Sequence, residues 1–93
     1  MRPLRMTAII GGKRYSTDLA TLIADDAQVN PEGKSQFLFR TKAGEYFVQH
    51  RTYAESCFDA AHDWMQPISE MDALMLYWEL PEHLVVVEAA FPK

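Results

Sequence analysis

Ser35-Gln36-Phe37-Leu38-Phe39-Arg40-Thr41-Lys42-Ala43-Gly44-Glu45-Tyr46-Phe47-Val48-Gln49-His50-Arg51 decides the fold class. Two runs rich in aromatic and branched residues flank Lys42-Ala43-Gly44-Glu45, a short turn by composition. Such runs pack well on a pleated surface, and a glycine between them permits the positive φ that a tight turn requires. The stretch therefore predicts a β-hairpin over 35–41 and 45–51. Working outward, Met6-Thr7-Ala8-Ile9-Ile10, Gly11-Gly12 and Lys13-Arg14-Tyr15-Ser16 predict a second hairpin, with strands at about 5–10 and 13–16.

The remaining segments read as helices or turns. Ser16-Thr17-Asp18 offers a capping hydroxyl and a carboxylate for the positive end of a helix, and Leu19, Leu22 and Ile23 follow at i, i+3, i+4. This predicts a helix ending near Asp26, followed by a turn at Asn30-Pro31-Glu32-Gly33. Ala54, Phe58, Ala61 and Met65 allow a helix at 55–63, which must stop before Pro67. Ser69-Glu70-Met71-Asp72 caps a helix running to about Leu80. Residues 83–91 divide between a strand, favoured by Leu84-Val85-Val86-Val87, and a short helix, favoured by Pro81-Glu82 and Glu88-Ala89-Ala90-Phe91. The helix is the preferred reading. The sum is a single α+β domain over 1–93, a small antiparallel sheet of hairpins packed against two or three α-helices.

Composition narrows the function classes. The 93 residues are 48% hydrophobic, too apolar for intrinsic disorder, and leave little room for a deep substrate cavity. One cysteine, Cys57, excludes an internal disulfide framework and fits a reducing cytoplasm. No apolar run approaches the roughly 20 residues of a membrane span, and Met1-Arg2-Pro3-Leu4-Arg5 lacks the apolar core of a signal peptide. The net charge of −4 is unevenly placed: residues 1–51 carry +3 and residues 52–93 carry −7. This predicts one basic and one acidic surface if the halves fold to different faces.

Three blocks resemble a family of small, largely uncharacterised proteins carried by phages and mobile elements of bacteria. They are Lys13-Arg14-Tyr15-Ser16-Thr17-Asp18-Leu19-Ala20, Leu38-Phe39-Arg40-Thr41-Lys42-Ala43-Gly44-Glu45-Tyr46-Phe47, and Pro67-Ile68-Ser69-Glu70-Met71-Asp72-Ala73. The chain departs from the family pattern at Ser16, where aspartate is usual, and at Leu76, where tryptophan is expected. The resemblance implies a bacterial host cell as the setting, where small mobile-element proteins often inhibit host defence.

No catalytic or cofactor pattern stands out. Asp59 and His62 are three apart, but no HExxH or paired CxxC motif accompanies them, so neither a metal nor a cofactor is expected. Cys57 sits among Glu55 and Asp59, which raise a thiol's pKa and make it a poor nucleophile. Gly11-Gly12-Lys13 lacks the spacing of a phosphate loop. Ser16 and Ser69 read as caps, and Ser35 and Ser56 have no nucleophile-elbow motif.

Two binding surfaces remain. Met71, Leu74, Met75, Leu76, Tyr77, Trp78 and Leu80 make the 70–80 helix apolar almost all round, which fits a central core helix, a homodimer contact or a partner interface. Asp59, Asp63, Glu70, Asp72, Glu79 and Glu82 supply acids to meet a cationic partner. The expected function is a non-enzymatic inhibitor or modulator of a host protein, most concretely of anti-CRISPR type, acting sterically and electrostatically on a nucleic-acid-binding defence complex. The alternative is a nucleic-acid-binding accessory protein. It would use Lys13, Arg14, Arg40, Lys42 and Arg51, interleaved with the rings of Tyr15, Phe37, Phe39, Tyr46 and Phe47.

Overall fold

The central hairpin forms as expected. In the computed structural model, which describes residues 3–26, 34–52 and 62–92, β4 (Lys34–Arg40) pairs antiparallel with β5 (Tyr46–Thr52), from Arg40 opposite Tyr46 to Lys34 opposite Thr52. The turn is closed by the Thr41 N–H donating to the Glu45 carbonyl (2.8 Å) and the Gly44 N–H donating to the Thr41 carbonyl (3.0 Å). The Thr41 hydroxyl accepts from the Glu45 N–H at 3.1 Å. Gly44 has φ +86°, and an added Cβ would lie 3.4 Å from the Arg40 guanidinium. Gly44→Val is therefore expected to cost about 1 kcal/mol or more, because a β-branched residue is strained at positive φ. Thermal denaturation should show a melting temperature several degrees lower, and an unchanged value would contradict this turn geometry.

Neighbouring strands extend the hairpin into a five-stranded antiparallel sheet of order β6-β5-β4-β3-β7. β3 is Thr21–Asp25, β6 is His62–Ile68 and β7 is Glu82–His83. Alternation along the strands sends side chains to two covered faces. Phe37, Phe39, Phe47 and Met65 form one core with Tyr15, and Met6, Ala8 and Ile10 pack against it. That face is covered by the separate hairpin of β1 (Thr7–Ile10) and β2 (Lys13–Ser16), which turns at Gly11-Gly12 with φ of 61° and 78°. Leu38, Tyr46, Val48 and Ile23 form the other core with Ala73, Tyr77, Leu80 and Ala90. The helices α1 (Glu70–Glu79) and α2 (Val87–Ala90) cover that face. Burial on both sides explains why the central strands read as continuous apolar runs, 37–39 and 46–48.

The N-terminal arm is tied to the sheet by a buried side chain. Gln49 has no exposed surface; its Oε1 accepts from the Leu4 N–H (2.9 Å) and its Nε2 donates to the Leu4 carbonyl (2.7 Å). A polar group buried this deeply is tolerated because both ends of its amide are satisfied.

Three expectations are corrected. The helix expected between Thr17 and Asp26 is absent, and residues 21–25 form β3 instead. Its pairing with β4 shifts between Leu22, opposite Phe39, and Ala24, opposite Leu38. This irregularity lets Leu22 join the hairpin-side core while Ile23 and Ala24, adjacent in sequence, both enter the helix-side core. A period of two broken by one extra residue imitates the i, i+3, i+4 pattern of a helix. Thr17 is not a helix cap: its hydroxyl accepts from the Met6 N–H (2.9 Å) and donates to the Leu4 carbonyl (3.1 Å).

The second correction concerns the helix expected at 55–63. Its residues 55–61, with Asp59 among them, lie outside the described residues, and His62 and Asp63 open β6. Pro67 sits inside β6, opposite Phe47, where the outermost position of the strand tolerates a residue with no N–H to donate. The third concerns 83–91, which divides between both readings: β7 pairs Glu82 and His83 with Asp25 and Ala24, and α2 begins only at Val87.

Candidate protein-docking face

Helix α1 forms where the cap was expected. Ser69 is extended (φ −71°, ψ 162°), and its hydroxyl accepts from the Asp72 N–H at 3.1 Å. At 100° per residue, Ala73, Tyr77 and Leu80 point to the sheet and are buried. Met71, Met75 and Trp78, spaced i, i+4, i+7, form a stripe on the opposite side and are 67%, 58% and 61% exposed. The helix is thus a core helix on one side and an open apolar surface on the other. The sheet has only one face to offer it, because the β1–β2 hairpin occupies the other.

The segment after α1 extends the stripe. His83 stacks on Tyr77 with ring centroids 4.0 Å apart, and Trp78 meets Tyr77 and His83 edge to face at 5.1 and 5.7 Å. The Nε2 of His83 lies 2.7 Å from the Tyr77 carbonyl, which can only accept, so the imidazole carries its proton on Nε2. The Tyr77 hydroxyl donates to the Val85 carbonyl at 2.7 Å. Burial, and after it the negative charge of Glu88, pushes the Tyr77 phenol above its usual value, so it remains a neutral donor. These contacts fix the Trp78 ring. A shallow hollow of about 350 Å³ opens beside it, against the exposed Leu84 and Val86 and the Glu88 side chain.

Three of the six acids expected at a partner surface, Glu70, Asp72 and Glu79, flank this stripe, and Glu82 stands in β7. Glu70, Asp72, Glu79 and Glu82 are all exposed. The helical period puts Asp72 and Glu79 on one flank of the stripe and Glu70 on the other. Asp63 stands elsewhere, half-buried in β6, with Arg51 Nε donating to its Oδ1 at 3.2 Å. Asp59 lies outside the described residues.

Glu79 is poorly placed for folding. It occupies the last turn of α1, which has no basic residue, and so sets a negative charge against the negative end of the helix dipole. Glu79→Lys is expected to stabilise the fold by about 0.3–1 kcal/mol while weakening any contact with a cationic partner. Urea denaturation of the variant checks the first part; a drop in its midpoint would show that Glu79 has a stabilising role missed by the geometry.

The five cations of the nucleic-acid reading do not share a face. Lys13, Arg14 and Lys42 surround one hollow between β2 and the β4–β5 turn. Arg40 lies opposite Tyr46, on the helix side, and its Nε is buried with no hydrogen-bond partner among the described residues. Arg51 lies six residues along from Glu45, roughly 20 Å away, and pairs with Asp63. The five rings of that reading, Tyr15, Phe37, Phe39, Tyr46 and Phe47, are all buried, so they offer bases no stacking surface.

What sequence reading missed is Leu84 and Val86 as surface residues, and the aromatic bracket of Tyr77 and His83 that holds Trp78. Nothing local marks them, since only the fold brings 77–78 and 83–86 together. Among the described residues, no group of three His, Cys, Asp or Glu could hold a metal ion, and no helix is long and apolar enough to cross a membrane. No family model matches the chain, and neither a curated protein nor a solved structure matches it.

Proposed function

We propose that the protein is a non-enzymatic binding protein that inhibits or modulates a host protein, with α1 as its docking face. The resemblance of its three sequence blocks supplies the setting, a phage or mobile element in a bacterial host cell. Its most concrete form is inhibition of a nucleic-acid-binding defence complex, as an anti-CRISPR protein would act.

The observation that carries this reading is the exposed stripe of Met71, Met75 and Trp78 flanked by Glu70, Asp72 and Glu79. Methionine and tryptophan are favoured in interface centres, where they exclude water and fill irregular pockets. The acids choose the partner: an apolar groove edged by lysine and arginine, the kind of surface that otherwise holds phosphates. Docking there blocks nucleic acid sterically and by charge competition, with no chemistry required. Repulsion between Asp72 and Glu79, which share a flank, is relieved on meeting cations.

The test is co-purification from native host lysate with mass spectrometry, followed by competition with labelled nucleic acid on the captured protein. The expected result is a nucleic-acid-binding partner whose nucleic acid is released in step with added chain. Asp72→Lys with Glu79→Lys should slow association and flatten its salt dependence. Capture without nucleic-acid release, or association as fast as the parent's at low salt in the charge-reversed variant, would overturn the reading.

A further inference from the structure

The positive charge that the fold does assemble lies on the other side of the sheet, where β2 meets the β4–β5 turn. A hollow of about 380 Å³ opens there. Lys13, Arg14 and Lys42 stand around it, while Leu19, Ala20 and Ala43 give it an apolar wall. Leu19 is 56% exposed, an apolar side chain left uncovered at the edge of a cavity.

One acid lines the hollow. The Glu45 carboxylate accepts from Lys13 Nζ at 3.0 Å and from the Tyr15 hydroxyl at 3.3 Å. It thereby shows how a carboxylate or phosphate oxygen can be held at this rim. Arg14 and Lys42 make no ion pair among the described residues. Three cations against one acid leave a net charge of +2 around the cavity.

Three features select the ligand. The excess of two positive charges matches a dianionic head group. The walls present no exposed ring, so base stacking, the main handle on nucleotides, is missing. The apolar wall and a volume within the range of small-molecule sites, about 300–1,000 Å³, admit a short aliphatic body. A polymer is disfavoured because Arg40 and Arg51, which would have to continue a phosphate track, stand elsewhere.

We propose that this hollow binds a small phosphate monoester with a short aliphatic chain. The phosphate sits between Arg14, Lys42 and Lys13, and the chain lies along Leu19 and Ala20. This site is independent of α1 and of the partner it meets, so either proposal can fail alone.

The test uses hexyl phosphate titrated into the full chain, followed by residue-resolved amide chemical shifts. Saturable shifts are expected at Ser16, Ala20 and Ala43, with a Kd of about 1 mM, as befits a ligand of this size. Inorganic phosphate and hexanol should each bind at least tenfold more weakly, since each uses half of the site, and every methylene added between butyl and hexyl phosphate should strengthen binding by up to about fourfold. Arg14→Gln with Lys42→Gln should weaken hexyl phosphate tenfold or more, whereas Lys34→Gln, at the end of β4 away from the turn, should not. If the double variant melts early, Lys42→Gln alone, at the exposed turn, carries the same expectation. No saturable shift by about 10 mM overturns the proposal. So does inorganic phosphate binding as tightly as hexyl phosphate, because the apolar wall would then have no role. An oligonucleotide binding more tightly, with a steep salt dependence, would overturn it in favour of a nucleic-acid track.

Discussion

Phe47→Ala is expected to destabilise the protein by about 3–5 kcal/mol, the usual cost of emptying a fully buried phenyl site. Phe47 has no exposed surface and lies at the centre of the hairpin-side core. Its ring stacks on Phe39 at 5.0 Å with planes 7° apart, and Tyr15 meets its edge at 5.6 Å. It thus joins the main sheet to the β1–β2 hairpin, and truncation opens a cavity between two layers that cannot close without moving a backbone. For a domain of this size, total stability of about 5–10 kcal/mol is normal, so the variant should be partly unfolded near 37 °C. Urea denaturation by circular dichroism measures the difference. Phe47→Leu, which keeps most of the volume, should cost about half as much, and Ile9→Ala, 76% exposed, under about 1 kcal/mol. If Phe47→Ala and Ile9→Ala cost the same, the two-sided core does not exist.

Trp78→Ala combined with Met75→Ala should weaken binding to the captured partner by at least about thirtyfold, or 2 kcal/mol, in surface-immobilised kinetics. Both side chains are more than half exposed, so the same pair should change folding stability by less than about 1 kcal/mol. The loss should appear mainly as faster dissociation, since apolar contacts act after encounter, whereas Asp72→Lys with Glu79→Lys acts on association. Equal affinity of the double alanine variant and the parent would remove α1 from the docking surface. Sedimentation of the free protein separates a further outcome. If the parent is a dimer at micromolar concentration and the double variant is a monomer, the stripe meets a second copy of the chain and not a host protein.

The difference between these two residues shows where sequence reading reaches. Phe47 is legible as core because it sits inside an apolar run and a glycine turn fixes the hairpin register. Trp78 is not legible as surface. The apolar residues around α1 fit a core helix, a dimer contact or an interface, and the number of layers on the sheet decides between them. With the β1–β2 hairpin on one face and a single ten-residue helix across most of the other, half of α1 has nothing in the described chain to cover it.

Local chemistry determined several elements outright. Gly44 and Gly11-Gly12 require positive φ, Ser69 satisfies a free helix N–H, and the aromatic runs on either side of Gly44 can only pair with each other at so short a separation. These are interactions between residues a few positions apart, so they are written in the sequence. Tertiary structure decided the rest. The register shift in β3 turned a helical spacing into a strand, because pairing with Leu38 and Phe39 outweighed the local preference. It likewise sorted five cations into a three-residue rim and two separate positions, one facing the helices and one paired with Asp63, since the side of a sheet to which a charge points depends on pairing partners far away in the chain.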